Sequence, residues 1–208
     1  MKRDGILIVV SGFSGAGKGT LMKALLKEYD NYALSISMTS RKPRPGETDG
    51  KEYFFVTREK FEQTIKEDGL LEYAEYCGNY YGTPQAYVES QLKAGKDVIL
   101  EIEIQGALKV KEKIPNSLLL FVTPPSAVEL KNRLVGRGTE TQEVIDARMR
   151  RAMEESEGIE AYEYLIVNDD LEETVKELHS IVQAAKCSPD RNKEFLQKIR
   201  QELKEVAQ

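Results

Sequence analysis

Residues 6–20 read ILIVVSGFSGAGKGT, and this stretch decides the fold of the chain. Its first five residues are apolar without alternation, which is typical of a strand buried on both faces of a parallel sheet. Four glycines follow between positions 12 and 19, and then Leu21, Met22 and Leu25 recur with helical spacing. A strand, a glycine-rich loop and a helix in this order predict a phosphate-binding loop.

The predicted loop has the chemistry needed to hold a polyphosphate. Glycines let the backbone turn its N–H groups toward an anion, and the following helix adds the positive end of its dipole. Lys18 adds a mobile positive charge for the β- and γ-phosphates. We therefore expect ATP to contact Gly12, Phe13, Ser14, Gly15, Ala16, Gly17, Lys18, Gly19 and Thr20. Because Gly19 follows Lys18, the hydroxyl comes one place late, at Thr20, an ending that resembles nucleoside-monophosphate kinases.

Composition excludes several classes of function. The 208 residues carry a net charge of −5, which argues against general nucleic-acid binding. The apolar runs are too short to span a membrane, and the N-terminus leads directly into the first strand, so we expect no signal peptide. Cys77 and Cys187 show no metal-site spacing, which favours free thiols in a reducing cytoplasm. His179 is the single histidine, so a histidine-dependent hydrolase is excluded.

Alternating strands and helices predict a doubly wound parallel α/β sheet of the P-loop NTPase type. We expect one domain over 1–208, with a core of 1–36, 96–125 and 159–208. A small α+β nucleotide-binding insertion is expected over 37–95, and a helical lid over 126–158. Strands are predicted at 34–38 and 98–104. A helix is predicted to begin at Pro84 with Thr83 as its N-cap, and a final amphipathic helix is expected to pack on the core.

Charged residues in three places point to phosphate chemistry. Arg41 and Arg44 lie on a proline-stiffened loop and could clamp a phosphate, although a basic surface turn is the alternative. Glu101 and Glu103 lie two apart on a predicted core strand, where either could serve Mg²⁺ or form an ion pair. In the lid, Arg137 and Arg148 are predicted to act on phosphate. Arg150 and Arg151 are expected to belong to a surface network with nearby glutamates.

The whole chain resembles the guanylate kinase family. The resemblance rests on six stretches in the family's order: SGFSGAGKGT (11–20), SISMTSRKPRPGETDGKEYFFV (35–56), LLEYAEYCGNYYGT (70–83), VILEIEIQGA (98–107), RLVGRGTET (133–141) and LIVNDDL (165–171). It implies transfer of a phosphoryl group from ATP to GMP with Mg²⁺, in purine nucleotide metabolism. It also implies a cytoplasmic enzyme that accepts dGMP, and it leaves the oligomeric state open.

The resemblance also implies roles for single residues. The GMP-binding residues would be Ser37, Arg41, Arg44, Tyr53, Glu72, Tyr81, Thr83 and Glu101. The catalytic residues would be Lys18, Arg41, Arg137 and Arg148, and Asn168 would lie near the adenine of ATP. Thr20 with Glu101 or Glu103 would serve the metal, directly or through water. Phe13, Ser40 and the two glutamates depart from the family's commoner residues, and Phe13 is expected to change only loop stiffness.

Two alternatives remain at this point. A kinase for AMP is disfavoured because Glu72 accepts the adjacent N1–H and N2–H₂ donors of guanine but repels the acceptor N1 of adenine. A catalytically inactive, peptide-binding module of the same family is disfavoured because Gly12, Gly17 and Lys18 are intact.

Overall fold

A five-stranded parallel sheet forms the centre of the molecule in the computed structural model, which describes residues 4–136, 138 and 141–207. In spatial order its strands are β2 (Tyr32–Leu34), β7 (Asp97–Glu101), β1 (Leu7–Gly12), β8 (Leu118–Thr123) and β9 (Tyr164–Val167). All four pairings between neighbouring strands are parallel. Strand β1 is central, so the loop that follows it opens at the carboxyl edge of the sheet.

Helices cover both faces of this sheet. Ile8 and Val10 of β1 pack in one core cluster with residues of α1 (Lys18–Glu28) and α7 (Leu171–Lys186). Leu7 and Val9 pack in a second cluster, toward α3 (Gln85–Lys93) and α4 (Ile104–Lys113). The strand therefore has no polar face, as its unbroken apolar run predicts. The predicted doubly wound α/β fold is confirmed.

A second sheet lies between β2 and β7 in the sequence. Its order is β4 (Phe54–Phe55), β3 (Met38–Thr39), β6 (Asn79–Pro84) and β5 (Leu70–Tyr76). Helix α2 (Arg58–Lys66) begins after Thr57, whose side chain caps it by accepting from the Lys60 N–H. The turn between β5 and β6 uses Cys77 and Gly78, both at positive φ, 48° and 73°.

Helices α5 (Ala127–Gly136) and α6 (Gln142–Ser156) pack on each other through a small separate core. Leu130 and Leu134 of α5 meet Ile145 and Ala152 of α6. The Ser126 hydroxyl accepts from the Glu129 N–H and so caps the start of α5. Arg137, predicted as catalytic, lies outside the described residues.

Three local predictions are wrong. The predicted strand 34–38 is divided, because Leu34 ends its pairing with β7 and Met38 joins the second sheet. The predicted strand 98–104 ends at Glu101, because α4 begins at Ile104, so Glu101 and Glu103 do not share a strand face. Thr83 lies within β6, and Pro84, not Thr83, occupies the N-cap position of α3.

The final helix α8 (Lys193–Val206) does not pack on the core as predicted. It has no buried residue, and its apolar side chains Phe195, Leu203 and Val206 are 42%, 62% and 85% exposed. A short 3₁₀ helix (Pro189–Asn192) joins it to α7, and another (Ile159–Ala161) precedes β9.

Candidate functional site

The loop after β1 has a backbone conformation that depends on glycine, and it leads into the uncapped N-terminus of α1. Gly12, Gly15 and Gly17 have φ values of 154°, 99° and 92°, which residues with a side chain rarely adopt. A Cβ on Gly12 would lie 2.2 Å from the Val122 carbonyl oxygen, so glycine is required there. Helix α1 begins directly at Lys18 without a side-chain cap, which leaves its first N–H groups for a ligand.

Lys18 folds back over its own loop. Its Nζ donates to the carbonyl oxygen of Gly12 at 2.6 Å and to that of Phe13 at 3.2 Å. Arg148 reaches the same loop from α6, because its guanidinium donates to the Ser14 hydroxyl. Two of the predicted catalytic cations are therefore brought together at the loop, although they lie 130 positions apart in the sequence.

From the sequence, Phe13 is expected to change only the stiffness of the loop. In the structure, its side chain also packs against two neighbouring parts of the protein. Its ring packs edge-on against Phe121 of β8 with the centroids 5.0 Å apart. It also contacts the apolar cluster between α5 and α6. The tip of the loop is therefore joined to both the central sheet and the two arginine-bearing helices.

The side chain of Asn168 is hydrogen-bonded to the backbone of the loop after β1. It is 6% exposed, and its Nδ2 donates to the Ala16 carbonyl oxygen at 2.8 Å. Arg133 of α5 donates to the Asn168 carbonyl oxygen at 2.9 Å and is held by Glu129 at 2.7 Å. The side chain of Asn168 thus fixes the loop backbone, while its predicted position near adenine stays a prediction. Sequence reasoning missed Arg133, whose i, i+4 spacing from Glu129 was the one available signal.

Arg41 and Arg44, predicted to clamp a phosphate, lie on the loop between β3 and β4. Arg41 makes a bidentate ion pair with Glu47, with both N–O distances 2.9 Å. The Arg44 backbone N–H also donates to Glu47, and these bonds hold the pKa of the Glu47 carboxyl below its ordinary value. The Arg41 guanidinium lies 5.5 Å from the ring centroid of Tyr53 and 5.7 Å from that of Phe55.

A cavity of about 540 Å³ opens between the second sheet and the carboxyl end of β7. It brings together six residues named in the sequence predictions: Ser37, Tyr53, Glu72, Tyr81, Glu101 and Glu103. The Tyr53 and Tyr81 rings pack edge to face with their centroids 6.0 Å apart. Arg41 and Arg44 do not line it, although the contact of Arg41 with Tyr53 places the clamp at its border.

Glu72 is the half-buried carboxylate of this cavity. Thr83, on the neighbouring strand, donates its hydroxyl to Glu72 Oε1 at 2.6 Å. Burial raises the pKa of the Glu72 carboxyl, and the Thr83 hydrogen bond and Lys109 act in the opposite direction. The other oxygen faces α4, where a Cβ on Gly106 would lie 3.3 Å from Oε2. Two of the predicted guanine contacts, Glu72 and Thr83, are therefore joined in one hydrogen bond.

The part of the cavity wall formed by α4 and α6 carries charged side chains. Arg151 of α6 pairs with Glu103 at 2.8 Å and with Glu155 at 3.0 Å. The predicted network of Arg151 with glutamates is confirmed, but the pair with Glu103 also carries Arg151 to the cavity wall. Lys109, which sequence reasoning did not select, lines the same cavity. No local pattern marks either residue, because their position depends on how α4 and α6 lie beside the second sheet.

The predicted metal ligands form no metal centre by themselves. Over the described ranges 4–136, 138 and 141–207, no three His, Cys, Asp or Glu residues lie close enough to hold an ion. Thr20 is exposed on the first turn of α1, and Glu101 ends β7 beside β1. Mg²⁺ takes most of its oxygens from phosphates and water, so a hydroxyl and a carboxylate at this edge fit its chemistry.

Two further observations bear on the sequence predictions. His179 lies apart from these groups, stacked on Tyr29 at 3.7 Å between centroids and hydrogen-bonded to the Tyr32 hydroxyl at 2.9 Å. Its side chain is half-buried on α7. Among the described residues, none of the helices combines the length and apolar character that crossing a membrane requires.

Comparison with known proteins decides the family. The family model described as "Guanylate kinase" matches residues 4–185, which include every element from β1 to most of α7. The chain belongs to the guanylate kinase family. The predicted resemblance is thereby confirmed.

Relatives of the guanylate kinase family match nearly the full chain. The guanylate kinase of Caldanaerobacter subterraneus subsp. tengcongensis is 50% identical over 202 residues, covering 97% of this chain and 98% of the relative. That of Clostridium perfringens strain 13 is 53% identical over 192 residues, covering 92% and 89%. The crystal structure of guanylate kinase from Anaplasma phagocytophilum superposes with a TM-score of 0.70 at 34% identity, covering 92% and 91% of the two chains.

Proposed function

We propose that the chain transfers the γ-phosphoryl group of ATP to the phosphate of GMP, giving ADP and GDP. The observation that carries this proposal is the Glu72 carboxylate, which accepts a hydrogen bond from the buried Thr83 and lines a cavity bordered by Arg41. A carboxylate acceptor suits the donor edge of guanine, and a guanidinium suits the phosphate of the same nucleotide. The family membership supports the same reaction.

In this reaction, the loop and its cations hold the donor. The N–H groups at the start of α1 would bind the β- and γ-phosphates of ATP, and Lys18 would move from its loop carbonyls to the γ-phosphate. Arg148, which already reaches Ser14, would neutralise the charge that develops during transfer. Arg137 is proposed to act beside it.

The acceptor would be held by the second sheet. Glu72, Thr83 and Ser37 would contact guanine, while Arg41, Arg44, Tyr53 and Tyr81 would hold its phosphate. An oxygen of that phosphate attacks the γ-phosphorus, and the bond to the ADP oxygen breaks. The attacking group is already anionic, so no general base is needed, and catalysis depends on alignment and charge neutralisation.

When bound, Mg²⁺ would reduce the negative charge of the ATP phosphates. Thr20 and Glu101 are the residues we propose to serve it, and Glu103 is less suited because it is paired with Arg151. We also propose that residues 37–95 form the GMP-binding unit and 126–158 a lid, that dGMP is accepted, and that the protein works in the cytoplasm.

A coupled assay of ADP release tests the proposal. The protein is incubated with ATP and Mg²⁺ and with GMP, dGMP, AMP, CMP or UMP in turn. Turnover confined to guanine nucleotides is expected. Turnover with AMP or a pyrimidine nucleotide would contradict the role of Glu72, and folded protein without any turnover would favour a peptide-binding module.

A further inference from the structure

The base cavity is more acidic than a site for an anionic nucleotide needs to be. The carboxylates that line it are Glu72, Glu75, Glu101 and Glu103. Two cations, Lys109 and Arg151, line it as well. One carboxylate is enough to accept the donors of guanine, and each further one repels the nucleotide. How far these two cations offset the carboxylates therefore determines how strongly the cavity repels an anionic nucleotide.

The two cations are held differently. Arg151 is bound to Glu103 at 2.8 Å and to Glu155 at 3.0 Å, so its charge is shared between two acids. Lys109 is exposed, and its Nζ lies 5.8 Å from the ring centroid of Tyr73, on the strand that carries Glu72. An ammonium over an aromatic ring keeps its full charge, because the ring is attracted to it without neutralising it.

The start of α4 brings Lys109 into the surroundings of Glu72. Gly106 lies directly against the carboxylate, since a Cβ there would meet Glu72 Oε2 at 3.3 Å. Lys109 comes three residues later, on the same helix face. Its charge lowers the pKa of the Glu72 carboxyl, whereas burial and Glu103 raise it.

Titratable groups from several elements surround Glu72 in this cavity. The Thr83 hydroxyl reaches Glu72 from β6, and the cavity wall carries Lys109 from α4, Glu103 from the N-cap of α4, Glu101 from β7, Arg151 from α6 and Glu75 from the same strand, which is paired with Arg58 at 3.3 Å. Arg151 is already paired with Glu103, so Lys109 is the cation in this set that no carboxylate neutralises among the described residues.

The protonation of Glu72 decides which purine it fits. The ionised carboxylate presents two acceptors, which match the N1–H and N2–H₂ donors of guanine. The neutral carboxylic acid presents one donor and one acceptor, which match N1 and N6–H₂ of adenine. A proton on Glu72 therefore does more than weaken guanine binding: it reverses the preference of this contact.

We propose that Lys109 is a specificity-determining positioning residue that acts through Glu72, holding the base contact in the form that selects guanine over adenine. This inference rests on the proposed function, because it assumes that Glu72 contacts the base. Lys109 itself does not need to touch the nucleotide. Its ammonium supplies positive charge near Glu72, whereas the charge of Arg151 is paired with Glu103 and Glu155.

The test compares Lys109→Gln, Lys109→Arg and a control, Lys204→Gln, which removes the same charge from exposed α8. For each variant, kcat/KM is measured for GMP and AMP between pH 5 and pH 9. GMP's own phosphate titrates near a pKa of about 6 in every sample, so the difference between variants isolates the protein. Circular dichroism and the Tm verify that each variant is folded.

Lys109→Gln is expected to move the acid limb of the GMP profile to higher pH. On that limb, kcat/KM for GMP should fall about twofold to fivefold, the size of one solvent-screened charge interaction. The ratio of GMP to AMP activity should fall at the same pH values. Lys109→Arg should restore both, and Lys204→Gln should match the unmodified protein throughout.

A second background separates direct from indirect action. In Glu72→Gln, which cannot titrate, Lys109→Gln should cause no pH-dependent change. A loss of GMP activity that is equal at all pH values and persists in that background would overturn the proposal, since Lys109 would then contact or steer the phosphate. An unchanged acid limb in Lys109→Gln, with normal GMP turnover, would also overturn it. Absence of GMP turnover in the unmodified protein would instead refute the proposed function.

Discussion

Replacing Glu72 by glutamine separates the two effects of this carboxylate, on GMP binding and on stability. The two side chains have the same shape, and the carbonyl oxygen of the new amide can still accept the Thr83 hydroxyl, which lies 2.6 Å from Oε1 of the glutamate. The amide NH₂ then takes the place of Oε2, the oxygen that faces Gly106. One guanine donor would meet another donor there, while nothing at the phosphate loop changes.

The loss of GMP affinity follows from this exchange. A hydrogen bond to a charged group contributes about 1.5–3 kcal/mol, so Kd for GMP should rise roughly tenfold to 150-fold. ATP should bind as before, because its proposed contacts lie on β1 and α1.

Stability should change in the opposite direction. Burial raises the pKa of Glu72 in the folded protein, so the folded state binds this proton more tightly than the unfolded state. The stability gained from that proton is present in full below the unfolded pKa and is lost as the pH rises through the folded pKa. Glu72→Gln removes this dependence, so its Tm should exceed that of the unmodified protein at pH 8, and the difference should shrink toward pH 4.5.

Calorimetric titration with GMP and with ATP, and thermal unfolding between pH 4.5 and pH 8, measure both effects. Equal weakening of GMP and ATP would remove Glu72 from base recognition. The Tm of the variant minus that of the unmodified protein is expected to be larger at pH 8 than at pH 4.5. If this difference is instead smaller at pH 8, Glu72 is stabilised in its charged form and the burial argument is refuted.

Three further substitutions test the loop and the base cavity. Lys18→Ala should lower kcat by at least about a hundredfold in the ADP-release assay while circular dichroism stays unchanged, because it removes the charge proposed for the γ-phosphate; near-normal turnover would contradict that role. Gly106→Ala adds a methyl group 3.3 Å from Glu72 Oε2, so Kd for GMP should rise while helix propensity gains up to about 1 kcal/mol; unchanged GMP binding would show that the carboxylate can shift freely. Gly17→Ala should lower the Tm, because φ is 92° and the new Cβ would lie 2.5 Å from Asn168 Nδ2; a Tm equal to that of the unmodified protein would mean that the loop relaxes without cost.

The sequence predicts the phosphate loop well because the loop depends on neighbours in the chain. The apolar run before Gly12, the glycines and the helical spacing after Lys18 all act within a short stretch of the chain. Strand β1 and helix α1 begin and end close to the predicted places. The apolar runs of β8 and β9 likewise lie within one element each.

The failed predictions concern features that depend on distant parts of the chain. In the run 98–104, Ile102 and Ile104 continue the apolar pattern past Glu101, which predicts a longer strand. In the structure, the Ser11 hydroxyl donates to the Ile102 carbonyl oxygen at 2.7 Å and the helix starts at Ile104. The stripe of α8 shows that one face is apolar, but amphipathicity alone does not say what that face contacts. Lys109 and Arg151 reach the cavity only because separate elements meet there.

If GMP binds as proposed, the distribution of charge over the cavity favours a single orientation of the nucleotide. Carboxylates, among them Glu72, line the part of the cavity proposed for the base, whereas Arg41 borders the part proposed for the phosphate. A nucleotide that entered in the reverse direction would place its phosphate against those carboxylates and leave Arg41 with Glu47 alone. In the expected direction, the phosphate meets a guanidinium that Glu47 already holds in place, so little side-chain entropy is lost on binding. In the proposed complex, the carboxylates of the cavity, which are unfavourable for an anion in general, would thus direct the GMP phosphate toward Arg41.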